Sequence, residues 1–103
     1  MSDYLDDVRR YDANADPAVV DKIVKHLGIA LRSRDSSLVS CSDPGELARV
    51  RQKWCGKKLG NKNEAACDEV ISKVCGQMGG DRAKSRVTFY YLVAKHLGKL
   101  SDL

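Results

Sequence analysis

Cys41 is the residue in this sequence with the most chemistry within its reach. It closes a hydroxyl-rich run, Ser33-Arg34-Asp35-Ser36-Ser37-Leu38-Val39-Ser40-Cys41-Ser42, two residues ahead of Asp43. Asp43-Pro44 reads as a helix N-cap followed by proline at the first helical position. A thiol beside a helix N-terminus is drawn towards thiolate, while the Asp43 carboxylate opposes that charge. A nucleophilic Cys41 would also need a base, and spacing alone brings neither His26 nor His96 to it. The same run holds the ingredients of an anion site. Arg32 and Arg34 precede it, Ser40 and Ser42 offer hydroxyls, and the next helix begins with free N–H groups. Against this, Asp43 occupies the cap and no Gly-rich phosphate loop is present. The expectation is an ordinary loop thiol, with Arg32 and Arg34 paired to carboxylates elsewhere. Arg32, Arg34, Ser40, Cys41 and Ser42 stand as candidate binding residues.

The other cysteines are Cys55, Cys67 and Cys75. No CxxC pair occurs, and a structural zinc site would want four ligands, usually with a close chelating pair. We therefore expect no metal, no cofactor and four free thiols. Cys67 and Cys75 fall on one apolar helix face, where cysteine acts as a small hydrophobe.

Two further features call for a binding or a packing explanation. Leu47, Arg51 and Cys55 form an i, i+4, i+8 row flanked by Val50, Trp54 and Leu59. Arg51 thus lies inside an apolar stripe and must reach water or find a carboxylate. The bland reading is a structural ion pair. The sharper one is an exposed docking face anchored by Arg51 and Trp54. The second feature is charge. Residues 1–21 carry six Asp and two Arg, whereas residues 22–62 carry ten Lys or Arg and three acids. Arg49, Lys53, Lys57, Lys58 and Lys62, with Arg82, Lys84 and Arg86, could follow a phosphate backbone. Yet no helix-turn-helix, zinc-finger or aromatic single-strand platform accompanies them.

The elements that would position these residues are helices. Ser2 is placed to cap a short first helix, which Asp12-Ala13-Asn14-Ala15 breaks. Asp16-Pro17 opens a second, with Val19, Val20, Ile23, Val24 and Leu27 at helical spacing and Gly28 beyond. Ile29-Ala30-Leu31 adds a turn before the hydroxyl-rich run, the longest loop. Asp43-Pro44 opens a third helix reaching Leu59, with Glu46 in the reach-back position of a capping box. Asn63 caps a fourth, whose Cys67, Val70, Ile71, Val74, Cys75 and Met78 share one face. Asp81 is placed to cap a fifth, from Ala83 through Leu97. Its Val87-Thr88-Phe89-Tyr90-Tyr91-Leu92-Val93 run favours strand by propensity. With no partner strand for that run, we read it as a central helix, apolar nearly all round. Lys25-His26-Leu27-Gly28 and Lys95-His96-Leu97-Gly98 repeat the same end chemistry rather than a duplicated unit.

The expected architecture is a single all-α domain, residues 1–103, of about five helices with the C-terminal one central. The acidic N-terminus lacks the basic start and apolar run of a signal peptide. No stretch approaches the ~20 apolar residues of a membrane span. A cytoplasmic protein with no membrane contact is expected. Two blocks, Ile29 to Pro44 and Gly80 to Val93, resemble a bacterial family of short proteins known only as domain of unknown function 2853. The likeness runs over nearly the whole chain. It implies a small bacterial protein and carries no activity or site residue with it. Three function classes stay open. First is a non-enzymatic protein-interaction module, with a protein partner or a second copy of itself. A nucleic-acid or polyanion binder is the alternative, and a Cys41-dependent redox or catalytic protein the third.

Overall fold

Three of the helices begin where the sequence supplies a side chain to cap them. In the computed structural model, which describes residues 3–32, 37–60, 63–80 and 84–100, helix α1 spans Asp3–Arg9. Its expected Ser2 cap lies outside the described residues. Asp12 accepts the Asn14 N–H and turns the chain. Asp16 accepts the Ala18 N–H at 2.9 Å and opens α2, Pro17–Leu27. Gly28 ends α2 with φ +41°, a conformation that side-chain-bearing residues rarely adopt. A 3₁₀ stretch, Gly28–Arg32, follows. Asp43 accepts the Gly45 N–H at 3.0 Å and opens α3, Pro44–Arg49. Asn63 accepts the Ala66 N–H and opens α4, Glu64–Gln77.

Helix α5, Arg86–His96, is the centre of the domain. Val87 through Ala94 are all buried, and the helix packs against α1, α2, α4 and the stretch that follows α3. The run of high strand propensity is therefore helical, as burial on all sides favours. α5 begins later than expected. Lys84–Ser85 form a short strand, β2, antiparallel to β1, Leu38–Val39, with Leu38 opposite Ser85. The Arg86 N–H donates to the Ser37 carbonyl at 2.8 Å. This pairing gives the backbone ahead of α5 partners that a longer helix would otherwise supply. Asp81 and Ala83 lie outside the described residues.

The third helix departs from regular geometry. From Val50 to Lys58 it widens into a π-helix, and the Leu59 N–H reaches back five residues to the Trp54 carbonyl at 2.9 Å. Read at ordinary helical spacing, Arg51 belongs to the buried stripe. With wider turns, Val50, Trp54, Cys55 and Leu59 face the core instead, and all four are buried. Arg51 moves to the flank and pairs with Asp68 of α4 at 3.2 Å. Trp54 has no exposed surface, and its indole N–H donates to the Tyr90 carbonyl of α5 at 3.0 Å. It cannot anchor a partner from outside, so the docking-face reading of this stripe gives way to a core one.

The cysteines also differ from expectation. Cys41 and Cys75 form a disulfide, tying the segment after β1 to the end of α4. Cys55 and Cys67 are free and buried. Only these two of the four are thiols, and Cys75 is bridged rather than a reduced core residue. The chain positions hid the pairing because the bridge joins residues 34 apart in the sequence. In the chain-entropy account, closing a loop of that size stabilises a domain by about 3–4 kcal/mol.

Phe89 is fully buried at the middle of α5. Phe89→Ala should cost ~3–5 kcal/mol in denaturant unfolding, because the cavity cannot collapse between helices held on every side. A loss below about 1 kcal/mol would show that α5 is peripheral.

Candidate functional site

Glu46 lies one turn into α3 and is one of the few buried charged side chains, at 8% exposure. A lone carboxylate there would be costly, so it must be paired. Arg86, at the start of α5, donates to one of its oxygens, and Arg49, three residues along α3, donates to the other at 2.8 Å. Arg86 also donates to the Leu38 carbonyl at 3.0 Å and to the Tyr90 hydroxyl at 3.2 Å. One guanidinium thus joins α3, β1 and α5, which uses the several fixed donors that distinguish arginine from lysine. Burial pushes the Glu46 carboxyl up, but the hydrogen bonds from Arg49 and Arg86 outweigh it and hold the group below its ordinary value. Glu46 does not reach back to cap its helix, the role its position suggested.

This cluster forms the base of a cleft of about 780 Å³. His26 and Leu27 at the end of α2 line one side. Leu38 and Ser40 come from β1 and the residue after it, Asp43 and Arg49 from α3, and Lys53 from the π-helical stretch, with Tyr90 contributed by α5. Behind the wall runs an aromatic stack. The His26 ring lies 5.2 Å from that of Trp54, and Trp54 lies 4.7 Å from Tyr90. Burial lowers the His26 pKa, and the Lys58 charge adds to the effect. Burial raises that of Tyr90, with Arg86 opposing. Both carboxylates of the cleft are engaged, Asp43 with the α3 N-terminus and Glu46 with two arginines. Lys53 is exposed and has no carboxylate partner among the described residues. The cleft lining thus carries Arg49, Lys53 and Arg86 against Asp43 and Glu46, one positive charge in excess, beside an apolar and aromatic wall.

The sequence candidates scatter around this cleft. Ser40 lines it, with its hydroxyl 3.2 Å from that of the exposed Ser42. Cys41 lies between them, but its sulfur is bonded to Cys75, so in this state it is neither nucleophile nor free thiol. Arg32 is exposed at the end of the 3₁₀ stretch and does not line the cleft. Arg34 lies outside the described residues, as do Lys62 and Arg82. Lys53, Lys57 and Lys58 are exposed, as the polyanion alternative requires. Arg86 is not, with its side chain 11% exposed and held by Glu46. Lys84 is half-buried on β2. Cys55 is kept in thiol form by burial and by its hydrogen bond with Cys67. Among the described residues no group of His, Cys, Asp and Glu gathers to hold a metal ion, and no helix is long and apolar enough to cross a membrane.

Sequence reasoning missed Glu46, His26 and Tyr90 as parts of one site. Glu46 carried a usable signal, an acid on a helix also rich in apolar residues. Its partner Arg86 stands 40 residues away, and no local pattern links them.

Two outcomes follow from this geometry. Arg86→Ala should destabilise the domain by about 1–3 kcal/mol, because it leaves one oxygen of the buried Glu46 carboxylate without its donor while Arg49 still holds the other. Lys53→Ala, on the rim, should leave unfolding nearly unchanged. Urea titrations of both variants separate a buried pair from a surface charge. His26 gives a pH dependence. Its folded pKa lies below the ordinary 6.5, so below that pH the unfolded chain takes up a proton that the folded one resists. Stability should fall as pH drops from about 6.5 towards the folded pKa, and His26→Gln should flatten that part of the profile. Equal slopes in the two proteins would show that His26 is not the titrating group.

No curated protein matches the chain. The sequence profile of a family described as a protein of unknown function (DUF2853) matches residues 3–101. That match spans nearly the whole chain, and the protein belongs to this family of unknown function.

Proposed function

We propose that the protein is a non-enzymatic interaction module whose cleft receives an acidic, partly apolar peptide segment of a partner protein. The observation that carries this reading is the exposed Lys53, which has no carboxylate partner among the described residues, beside a wall of Leu27, Leu38 and Tyr90. The volume is in the range of recognition sites, and charge complementarity selects an acidic occupant. None of the cysteines offers a free, exposed thiol to the cleft, and the cleft's one histidine packs its ring near Trp54. Cys41 is bridged, and Cys55 and Cys67 are buried. Placement in a bacterial cytoplasm belongs to the same reading and rests on the family resemblance.

The polyanion alternative retains Lys53, Lys57 and Lys58 as an exposed basic set on the π-helical stretch. It is the weaker reading, because Arg49 and Arg86 are tied to Glu46.

Fluorescence anisotropy tests the choice. A fluorescein-labelled peptide of alternating Glu and Leu should bind saturably, more tightly than its Gln/Leu counterpart, and less tightly as salt rises. Lys53→Glu should weaken it about tenfold, as expected for reversing one rim charge. Equal binding of both peptides would overturn the proposal. Tighter binding of a single-stranded oligonucleotide, lost in Lys57→Glu/Lys58→Glu but kept in Lys53→Glu, would replace it with the polyanion reading.

A further inference from the structure

We infer that the Cys41–Cys75 disulfide is a redox modification site, reduced by a dithiol, whose state sets the mobility of one wall of the cleft. Both cysteines are partly exposed and pack at the edge of the core. The other two cysteines are fully buried, so the four divide into an accessible bridge and a sequestered pair. The bridge is the one disulfide among the described residues, and so the place where a reductant acts, while burial shields the Cys55 and Cys67 thiols from reagents.

The bridge matters because of what it holds. β1 is secured by its pairing with β2, by burial of Val39 and by the donation from Arg86 to Leu38. Downstream, Asp43 is secured as the cap of α3. Between these anchors, Ser40 and Ser42 bond to one another, and the Asp43 N–H donates to the Ser40 carbonyl. These bonds stay within the segment. Among the described residues, the disulfide is its one hydrogen-bonded, ionic or covalent tie to another element. Ser40 and Asp43 line the cleft, so the tie reaches from the end of α4 to the cleft wall.

The step balances as an exchange. A thiolate of the dithiol attacks one sulfur of the bridge, the S–S bond breaks, and the released sulfur takes a proton. The second thiol of the reductant then attacks the mixed disulfide and frees the other cysteine. Two electrons and two protons pass to Cys41 and Cys75, and the reductant leaves as a disulfide. In the reduced form, residues 40–42 lose their anchor, and Ser40, which lines the cleft, is no longer held in place. The effect on ligand binding rests on the function proposed above; the effect on the segment does not.

The test uses the intact chain equilibrated in dithiothreitol redox buffers, with alkylation and mass mapping under native conditions. Cys41 and Cys75 should label together as the buffer becomes reducing, while Cys55 and Cys67 stay protected. Amide exchange across residues 40–43 should accelerate at least tenfold on reduction, and Cys41→Ser/Cys75→Ser should reproduce that rate without reductant. The Glu/Leu peptide should bind at least threefold more weakly to the reduced form. Simultaneous labelling of all four cysteines, or unchanged exchange across 40–43, would overturn the inference. A peptide that binds neither form, with exchange still accelerated, would sink the proposed function and leave the redox site standing. A peptide that binds both forms equally would refute the coupling to the cleft.

Discussion

Eight consecutive residues of α5, Val87 to Ala94, are withdrawn from water. A helix buried on every side has to be covered on every side, and in a chain of this length nearly every other element must contribute. α1, α2, α4 and the π-helical stretch each pack against it, and β1 reaches its start. The arrangement also sets a polar requirement. Thr88, Tyr90 and Tyr91 bring hydroxyl groups into or beside the core, and each must find a partner. Thr88 donates to Asp7 at the far end of the sequence. Tyr91 donates to Asp12 at 2.7 Å, and Tyr90 accepts from Arg86. The acidic N-terminal segment therefore serves the central helix of its own chain. Asp12 also pairs with Lys95 and is held below its ordinary pKa chiefly by the Tyr91 hydrogen bond.

The same requirement accounts for the cleft. Arg86 begins α5 where β2 ends, and its guanidinium cannot follow the helix into an apolar interior. It turns to Glu46, which is brought to it by α3, and to the Leu38 carbonyl, brought by β1. A buried ion pair of this kind adds little net stability over a well-packed apolar substitute, since desolvation offsets the attraction. Its effect is geometric. Three elements are held in register by one guanidinium, and the cleft opens beside the pair.

The helices were legible in the sequence because their ends are written locally. Asp16-Pro17, Asp43-Pro44 and Asn63 act within three residues of themselves, and each caps the helix it precedes. The amphipathic face of α4 was legible for the same reason, except at Cys75, which sits on the face but is bridged at its edge. What the sequence concealed depends on partners far away in the chain. The β1–β2 ladder joins two-residue segments that no alternation pattern could reveal. Glu46 looked like a local cap because its position fits one, and Arg86 looked like part of a basic surface because its neighbours are basic. The Cys41–Cys75 bridge was hidden because loop closure leaves no local mark.

The π-helical stretch shows how the two kinds of information meet. π geometry ordinarily occurs as a single turn inside an α-helix and is frequent at functional sites. Here it extends from Val50 to Lys58. On an ordinary helix the apolar residues of this segment would drag Arg51 into the core. Widening the turns lets Val50, Trp54, Cys55 and Leu59 share the inner face, while Arg51 turns to Asp68. Trp54 then meets the Tyr90 carbonyl and closes the aromatic stack that backs the cleft. Lys53, the residue before it, is exposed and lines the cleft. One local distortion thus gives the Arg51 terminal nitrogen a carboxylate, although its Nε stays buried without a partner among the described residues, and places Lys53 beside an apolar wall. Regularising the helix would return Arg51 to the middle of the buried stripe, so the packing of Val50, Trp54, Cys55 and Leu59 depends on the widened turns.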